Sequence, residues 1–247
     1  MAKLMGIDLE TTGRDDNLEV IEVGAVGYST HHNQPLSMYS ELSAGTTTPI
    51  DPEVRELTSI RDDMLGDGYL FPTANGINIM ANLIAHIKEA NPDFLVAHNA
   101  FGFEKPILEA AANYANESFN YNWIDTMIDI PYPAHKTSAG KSLIGLCATH
   151  DIINPYQHRA LPDALVMMKL LGKYENDFPL IEKVAETPMV WVRAGVDRST
   201  KDLAKNEDFL WDFVNICWVK QIRLYWLDKT KYPFTTVIMP DDYTFRK

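Results

Sequence analysis

At 247 residues, 46% hydrophobic and 23% charged, the chain suits one ordinary domain with a small appendage or one large domain, and no apolar run approaches the ~20 residues that span a bilayer. The opening Met1-Ala2-Lys3 has no signal-peptide anatomy, and the only two cysteines, Cys147 and Cys217, fall in what read as different domains, so a reducing, cytoplasmic setting without a structural disulfide is expected (the host cytoplasm if the chain is viral). The net charge of −12 is unevenly shared, with 12 Lys+Arg against 25 Asp+Glu in residues 1–185 and 10 against 9 in residues 186–247, which excludes an N-terminal body that holds phosphates through lysine and arginine alone.

In chain order, residues 3–9 read as a short buried strand, and "LEVIEVGAVGYS" (18–29) and "PLSMYSEL" (35–42) as two more, forming an antiparallel meander. "PIDPEVRELTSI" (49–60) has helix-start residues at its front. Ile79, Leu83 and Ile87 share one stripe of a helix over 78–90. "DFLVAHNA" is a short apolar strand that ends polar. Helices are expected at 104–115, 141–150 and 162–173, the last opening on Pro162, whose missing N–H suits a first turn. Strands followed by alternating helices and strands predict an α/β fold, a mixed sheet with helices packed on it. "KYENDFPLIEKVAETP" (173–188) is polar with two prolines and reads as a linker, placing domains at 1–175 and 189–247 around a 176–188 connection. Beyond it, "MVWVRAGV" alternates as a strand, "STKDLAKNEDF" suits a short helix and "WDFVNICWVKQI" reads as a strand, a small α+β unit.

"MGIDLETTG" (5–13) places Asp8 and Glu10 at i and i+2 of the first strand, so both carboxylates share a face. Two acids that close repel, and a proton, a raised pKa or a divalent cation must compensate. Mg²⁺ and Mn²⁺ prefer such oxygen ligands. Three later segments add chemistry of the same kind. "AHNAFGFEKPIL" (97–108) ends a strand in His98-Asn99 and sets Glu104 at the mouth of a helix. "WIDTMIDI" (123–130) puts Asp125 at a strand end, where capping of a turn outweighs metal binding, with Asp129 nearby. "HRALPDA" (158–164) sets His158 five residues before Asp163.

D-x-E-T-T-G at 8–13, H-N-x-x-x-F-[DE] at 98–104 and H-x-A-x-x-D-A at 158–164, with "KSLIGLC" between the last two, together resemble the DnaQ-like (DEDD) 3′–5′ exonuclease superfamily in its His-containing branch, over roughly residues 3–172. The resemblance implies an RNase H-like fold and two metal ions, Mg²⁺ or Mn²⁺. It implies Asp8 as the bridging ligand, Glu10 and Asp163 as ligands of the first ion, Glu104 as the second-motif acid and His158 as the general base. Glu104 departs from the usual Asp and stands one residue beyond the commonest spacing from His98, which leaves Asp125 and Asp129 as spare acids. The activity implied is release of nucleoside 5′-monophosphates from the 3′ end of DNA, single-stranded or frayed. RNA is the alternative polymer, and a catalytically weak polymerase-accessory module is a rival of another class. A polymerase or other replication or repair protein is a candidate partner.

Thr11, Thr12 and Gly13 are implied to approach the terminal nucleotide, with ordinary turn chemistry as the equal alternative. His98 and Asn99 are weighed more as strand-end hydrogen-bonding groups than as substrate contacts. Phe101 is a candidate for stacking on a base, and Phe103 reads as core. In the C-terminal piece Trp191, Arg193, Lys205, Trp211, Trp218 and Lys220 interleave large rings with cations, a composition that suits nucleic acid and also the core of a small domain. "DLAKNEDFLWD…WVKQI" resembles a small domain that follows exonuclease domains of the exodeoxyribonuclease X-like type, often in bacteriophage proteins, with Asp208 where glycine is usual.

Overall fold

Apolar alternation carries the first strands, as the sequence predicts: β1 (Lys3–Thr11), β2 (Val20–Ser29) and β3 (Gln34–Leu42) form an antiparallel meander. The computed structural model describes residues 2–14, 17–65, 77–138 and 140–245. It divides into two compact units, Met1–Ile181 and Glu182–Lys247.

In the first unit the chain continues through α1 (Pro52–Thr58), capped by the Asp51 carboxylate on the Glu53 N–H, and α2 (Ile77–Ala90). It then enters β4 (Phe94–Ala97), α3 (Glu104–Tyr114), β5 (Asn122–Asp125), α4 (Leu143–Thr149) and α5 (Ala160–Gly172). The sheet order is β3-β2-β1-β4-β5, with β4 and β5 parallel to β1, so the mixed sheet is as expected. Met5, Ile7, Leu9, Val23 and Ala25 form one core with Leu83 and Ile87 of α2 and Leu108 of α3. The alternate residues of β1, Gly6, Asp8 and Glu10, therefore face the other way. On that side a Cβ on Gly24, the register partner of Asp8, would lie 2.3 Å from backbone atoms of Ala160 and Leu161. Only a glycine lets the start of α5 rest on the sheet here.

Three expectations are corrected. Helix α5 starts at Ala160, two residues before Pro162, which still lies in the first turn where its missing N–H leaves no bond unmade. Residues 173–188 are not an irregular linker: a 3₁₀ turn (Glu175–Asp177) leads into α6 (Phe178–Ala185), whose Ile181 and Val184 are fully buried. The third concerns "WDFVNICWVKQI", which is two strands about a turn.

The second unit runs β6 (Met189–Ala194), α7 (Lys201–Asn206), β7 (Leu210–Asp212), β8 (Cys217–Arg223), α8 (Leu224–Lys229) and β9 (Thr236–Ile238). Its antiparallel sheet has the order β7-β8-β6-β9. Asp212 closes the β7–β8 turn by accepting from the N–H groups of Val214 (2.9 Å) and Asn215 (2.8 Å), while Tyr243 donates to its other oxygen. Val192, Ala194, Ala204 and Phe209 make its core, with Trp218 and Phe234 packed against it. Among the described residues no helix is long and apolar enough to cross a membrane.

Candidate active site

Asp8 and Glu10 of β1 and Asp163 of α5 bring one carboxylate oxygen each within 4.8 Å of one another, although 153 positions separate the last two in sequence. The strand places two of them by its period of two. The close seat of α5 on Gly24 brings the third. A register shift between Glu10 and Thr11 bulges the strand as it leaves the cluster, a device that re-aims side chains at a sheet end.

Glu104 is the first residue of α3 and 2% exposed, and its Oε2 is buried without a hydrogen-bond partner. It is not among the three acids that converge within 4.8 Å, but its charge raises Asp8 and it is itself raised by Glu10. A buried carboxylate oxygen with no donor costs free energy unless a proton or a cation meets it. The donor set is all oxygen, which a hard divalent cation fits.

Burial raises these acids, and their mutual repulsion raises them further. Asp8 is held well above the usual carboxylate range by burial first, then by Glu10, Glu104, Asp163 and Glu22. Glu10 is pushed up to about 8 by burial, Asp163 and Glu22, against an opposing pull from Arg159. Glu104 reaches about 8, chiefly through burial, with Asp125 and Glu10 adding to it. Asp163 is raised by burial although the His158 N–H and Asn154 side chain favour its charge. Full ionisation without a counter-cation is thus strongly opposed.

His158 sits at φ 58°, a left-handed conformation, immediately before α5. Its N–H donates to Asp163 Oδ2 at 3.0 Å, and Asn154 donates to Oδ1, so both oxygens of Asp163 are oriented. The half-buried imidazole lines a cleft of about 660 Å³ with Glu10, Thr11, Gly13 and Phe103. The neighbouring Arg159 clamps Glu22 of β2, with Nε at 3.0 Å from Oε2 and Nη2 at 2.6 Å from Oε1, and the Ala160 N–H reaches the same carboxylate at 2.9 Å. Glu22 is 2% exposed and stands opposite Glu10 in the strand register. This clamp ties the loop carrying His158 to the sheet. Neither Glu22 nor Arg159 figures in the sequence reading, yet a lone acid inside the apolar run "VIEVGAV" was the available signal.

The remaining candidates have local partners. Thr11 Oγ1 donates to the Gly13 carbonyl at 2.8 Å and Thr12 Oγ1 accepts the Glu19 N–H at 3.0 Å, so both hydroxyls serve the turn. His98 is held neutral, down to about 4, by burial; its Nε2 donates to the Lys141 carbonyl and its Nδ1 meets Thr126 Oγ1, both at 2.9 Å. Asn99 takes φ 74°, and its N–H donates to Asp125 Oδ1 at 3.0 Å, an oxygen that also accepts the Met127 N–H at 2.9 Å. Asp125 therefore caps its turn, as weighed from the sequence, and Asp129 accepts the Asp125 N–H at 2.8 Å. Phe101 packs at the edge of the core with Lys105 Nζ 5.6 Å from its ring centroid.

A β3-β2-β1-β4-β5 mixed sheet flanked by helices, with half-buried acids gathered beside its first strand, defines an RNase H-like nuclease fold. The RNase_T exonuclease family matches residues 5–171, and the chain belongs to that family, within the DnaQ-like superfamily; it is an exonuclease, a hydrolase of nucleic-acid phosphodiesters. No curated protein matches it by sequence. Among solved structures it is similar to the nuclease domain of 3′hExo, a DEDDh family member bound to rAMP, at 15% identity and a TM-score of 0.53, covering 71% of this chain and 92% of that one. It is also similar to the zinc-bound form of the E. coli ExoI–ssDNA complex at 12% identity and a TM-score of 0.59, covering 83% of this chain and 50% of that one. A third, solved for 3′-end recognition of the histone mRNA stem-loop by 3′-exonuclease, is 15% identical with a TM-score of 0.55, covering 71% and 64%. The chain thus spans half the length of the E. coli exonuclease and about two thirds of the stem-loop-binding one.

Proposed function

We propose that the first unit removes nucleoside 5′-monophosphates from the 3′ end of DNA, with single strands preferred. The observation that carries this reading is the convergence of Asp8, Glu10 and Asp163 beside the cleft that His158 lines. Asp8, Glu10, Asp163 and Glu104 would hold two divalent ions, Mg²⁺ or Mn²⁺. Such ions neutralise the phosphodiester and favour both the attacking and the leaving oxygen of an in-line displacement.

The chain's own residues supply the rest. His158 is the general base, accepting the proton of the attacking water on a ring nitrogen, a role worth about 10²–10⁴-fold. The His158–Asp163 and Arg159–Glu22 hydrogen bonds orient the loop so that the imidazole stays at the cleft while Asp163 is fixed on α5. Backbone at Thr11–Gly13 forms the wall against which the terminal nucleotide lies, since their hydroxyls are occupied internally. DNA is favoured because 83% of this chain superposes on an exonuclease solved with single-stranded DNA, against 71% on those solved with rAMP or for an mRNA stem-loop.

End-labelled DNA and RNA oligomers of matched sequence, incubated with Mg²⁺, Mn²⁺ or chelator, test the reading. The expected result is stepwise shortening of a 5′-labelled DNA strand that chelator stops and that outpaces RNA. Faster digestion of RNA would change the polymer, and digestion that persists in chelator would overturn the metal assignment.

A further inference from the structure

The second unit gathers Arg193 of β6, Arg198 of the following turn, Lys201 and Lys205 of α7, Trp211 of β7 and Trp218 of β8 around one cleft of about 790 Å³. We propose that this cleft is a binding site for single-stranded nucleic acid, separate from the carboxylate site, in which the tryptophans stack on bases and the cations meet phosphates.

Three observations carry the proposal. Residues 182–247 hold 11 Lys+Arg against 10 Asp+Glu, so a group of four cations in one cleft is a local concentration and not the unit's average. All four are exposed, and Arg193, Arg198 and Lys201 make no ion pair or side-chain hydrogen bond among the described residues. Lys201 and Lys205 are four apart on α7 and so share its face. Two acids share the place, Asp197 in the cleft's lining and Asp202 beside Lys205, so the cations exceed the acids here by two. Asp197 accepts from the N–H and hydroxyl groups of Ser199 and Thr200, and Asp202 meets Lys205 at 3.3 Å.

The rings are placed to match. Trp211 and Trp218 are direct cross-strand partners with centroids 5.4 Å apart and planes tilted by 58°. Lys205 Nζ lies 5.7 Å from the Trp218 centroid, a cation beside an aromatic face. Both rings are half-buried, Trp218 packing on the unit's core while also lining the cleft. Flat rings beside exposed cations suit a polyanion whose bases are free to stack, which a duplex does not offer.

The structure sorts the sequence candidates accordingly. Arg193, Lys205, Trp211 and Trp218 line the cleft. Trp191 instead stacks on Phe245, and Lys220 donates to the Glu207 carbonyl at 2.7 Å beside the Phe209 ring, so both serve the unit's own packing.

The test uses the full chain in chelator, so that nothing is cleaved, and reads fluorescence anisotropy of labelled oligo-dT of about 20 nucleotides, with tryptophan emission recorded in parallel. The combined variant Arg193→Ala, Arg198→Ala, Lys201→Ala alters exposed side chains only. It should weaken binding by about tenfold or more and flatten the log–log salt slope by about 2, three contacts at ~0.7 each on a single strand. Trp211→Ala should weaken binding by about tenfold and remove part of the emission quenching. Unchanged affinity and salt slope in the triple variant would overturn the proposal, as would equally tight binding of a duplex or of free dTMP. Turnover of a saturating short oligomer in Mg²⁺ should stay at the parent rate in the triple variant. If no variant, nor the parent, hydrolyses DNA while the binding differences hold, the exonuclease reading fails and the cleft stands.

Discussion

The two units handle like charge in opposite ways. In the first, Asp8 and Glu10, Glu104 and Asp163 come from three distant sequence segments, are half-buried or, for Glu104, buried, and push one another toward protonation. In the second, the cations of the cleft fall between Arg193 and Lys205, stand in water and cost little. A buried cluster of one sign is costly without a counter-ion, so its existence alone argues for a ligand. Exposed cations argue for one only when something else, here two tryptophans, shares the place. Motif spacing therefore marks the first site, and spatial co-location marks the second.

The largest expected effect breaks the first half of that contrast. Asp8→Asn removes a charge from the cluster and should abolish measurable turnover, with His158→Ala losing about 10²–10⁴-fold by comparison. In chelator the same Asp8→Asn variant should melt at a higher temperature than the parent, because it removes a carboxylate whose ionisation is opposed by burial, Glu10 and Glu104. Parallel assays of turnover and of metal-free melting check this, and a lower melting temperature would contradict the electrostatic account.

Next in size is Gly24→Ala. The added Cβ would meet main chain at 2.3 Å, so α5 must move bodily off the sheet. Overpacking of this kind costs about 1–3 kcal/mol. Because Asp163 rides on α5, urea melts should show the loss of stability together with lost turnover. Oligo-dT binding in chelator, assigned to the other unit, should hold.

The third effect is a pH dependence. Glu10 and Glu104 rise from 4.5 to about 8 in the folded protein, chiefly through burial. Between those values the unfolded chain has lost protons that the folded one keeps, so metal-free stability should fall as pH rises through the window and level off on either side. A divalent cation binds the ionised carboxylates and should reverse the trend, giving its largest stabilisation at the alkaline end. Melting temperatures across that window, in chelator and in Mn²⁺, read both signs. A flat metal-free curve would sink the raised values.

Much of this was legible in the residues themselves. The i, i+2 acids follow from strand periodicity, Glu104, His158 and Asp163 from the ordered motifs that carry the family resemblance, and the structure brings three of the four acids together. Glu22 and Arg159 escaped notice because their partnership spans 137 positions and joins a strand to a helix entry, which no local pattern reports. Residues 173–188 read as a linker through polar side chains and prolines, and the units do divide within them, but Ile181 and Val184 sit there at helical spacing. In the tail, composition points to rings and cations but not to their grouping. Only the strand register decides that Trp218 faces Trp211 while Trp191 packs on Phe245.

The smallest effect sharpens the account of the second unit. Asp208 takes φ 59°, just past the end of α7. Its N–H donates to the Lys205 carbonyl at 3.1 Å and the Phe209 N–H to the Ala204 carbonyl at 3.0 Å. That pair of bonds is a Schellman cap, completed by the contact of buried Phe209 and Ala204, and its left-handed position ordinarily goes to glycine. A glycine at this position would thus have a backbone reason. An aspartate there bears the left-handed penalty and places a negative charge at the negative end of a helix. Asp208→Gly removes both and gains back some unfolded-state entropy, which offsets part of the benefit. The net should be a stabilisation of about 0.5 kcal/mol, read as a small rise in the melting temperature with turnover unchanged. Loss of a negative charge three residues from Lys205 should also tighten oligo-dT binding slightly at low salt, and that gain should vanish as salt is raised.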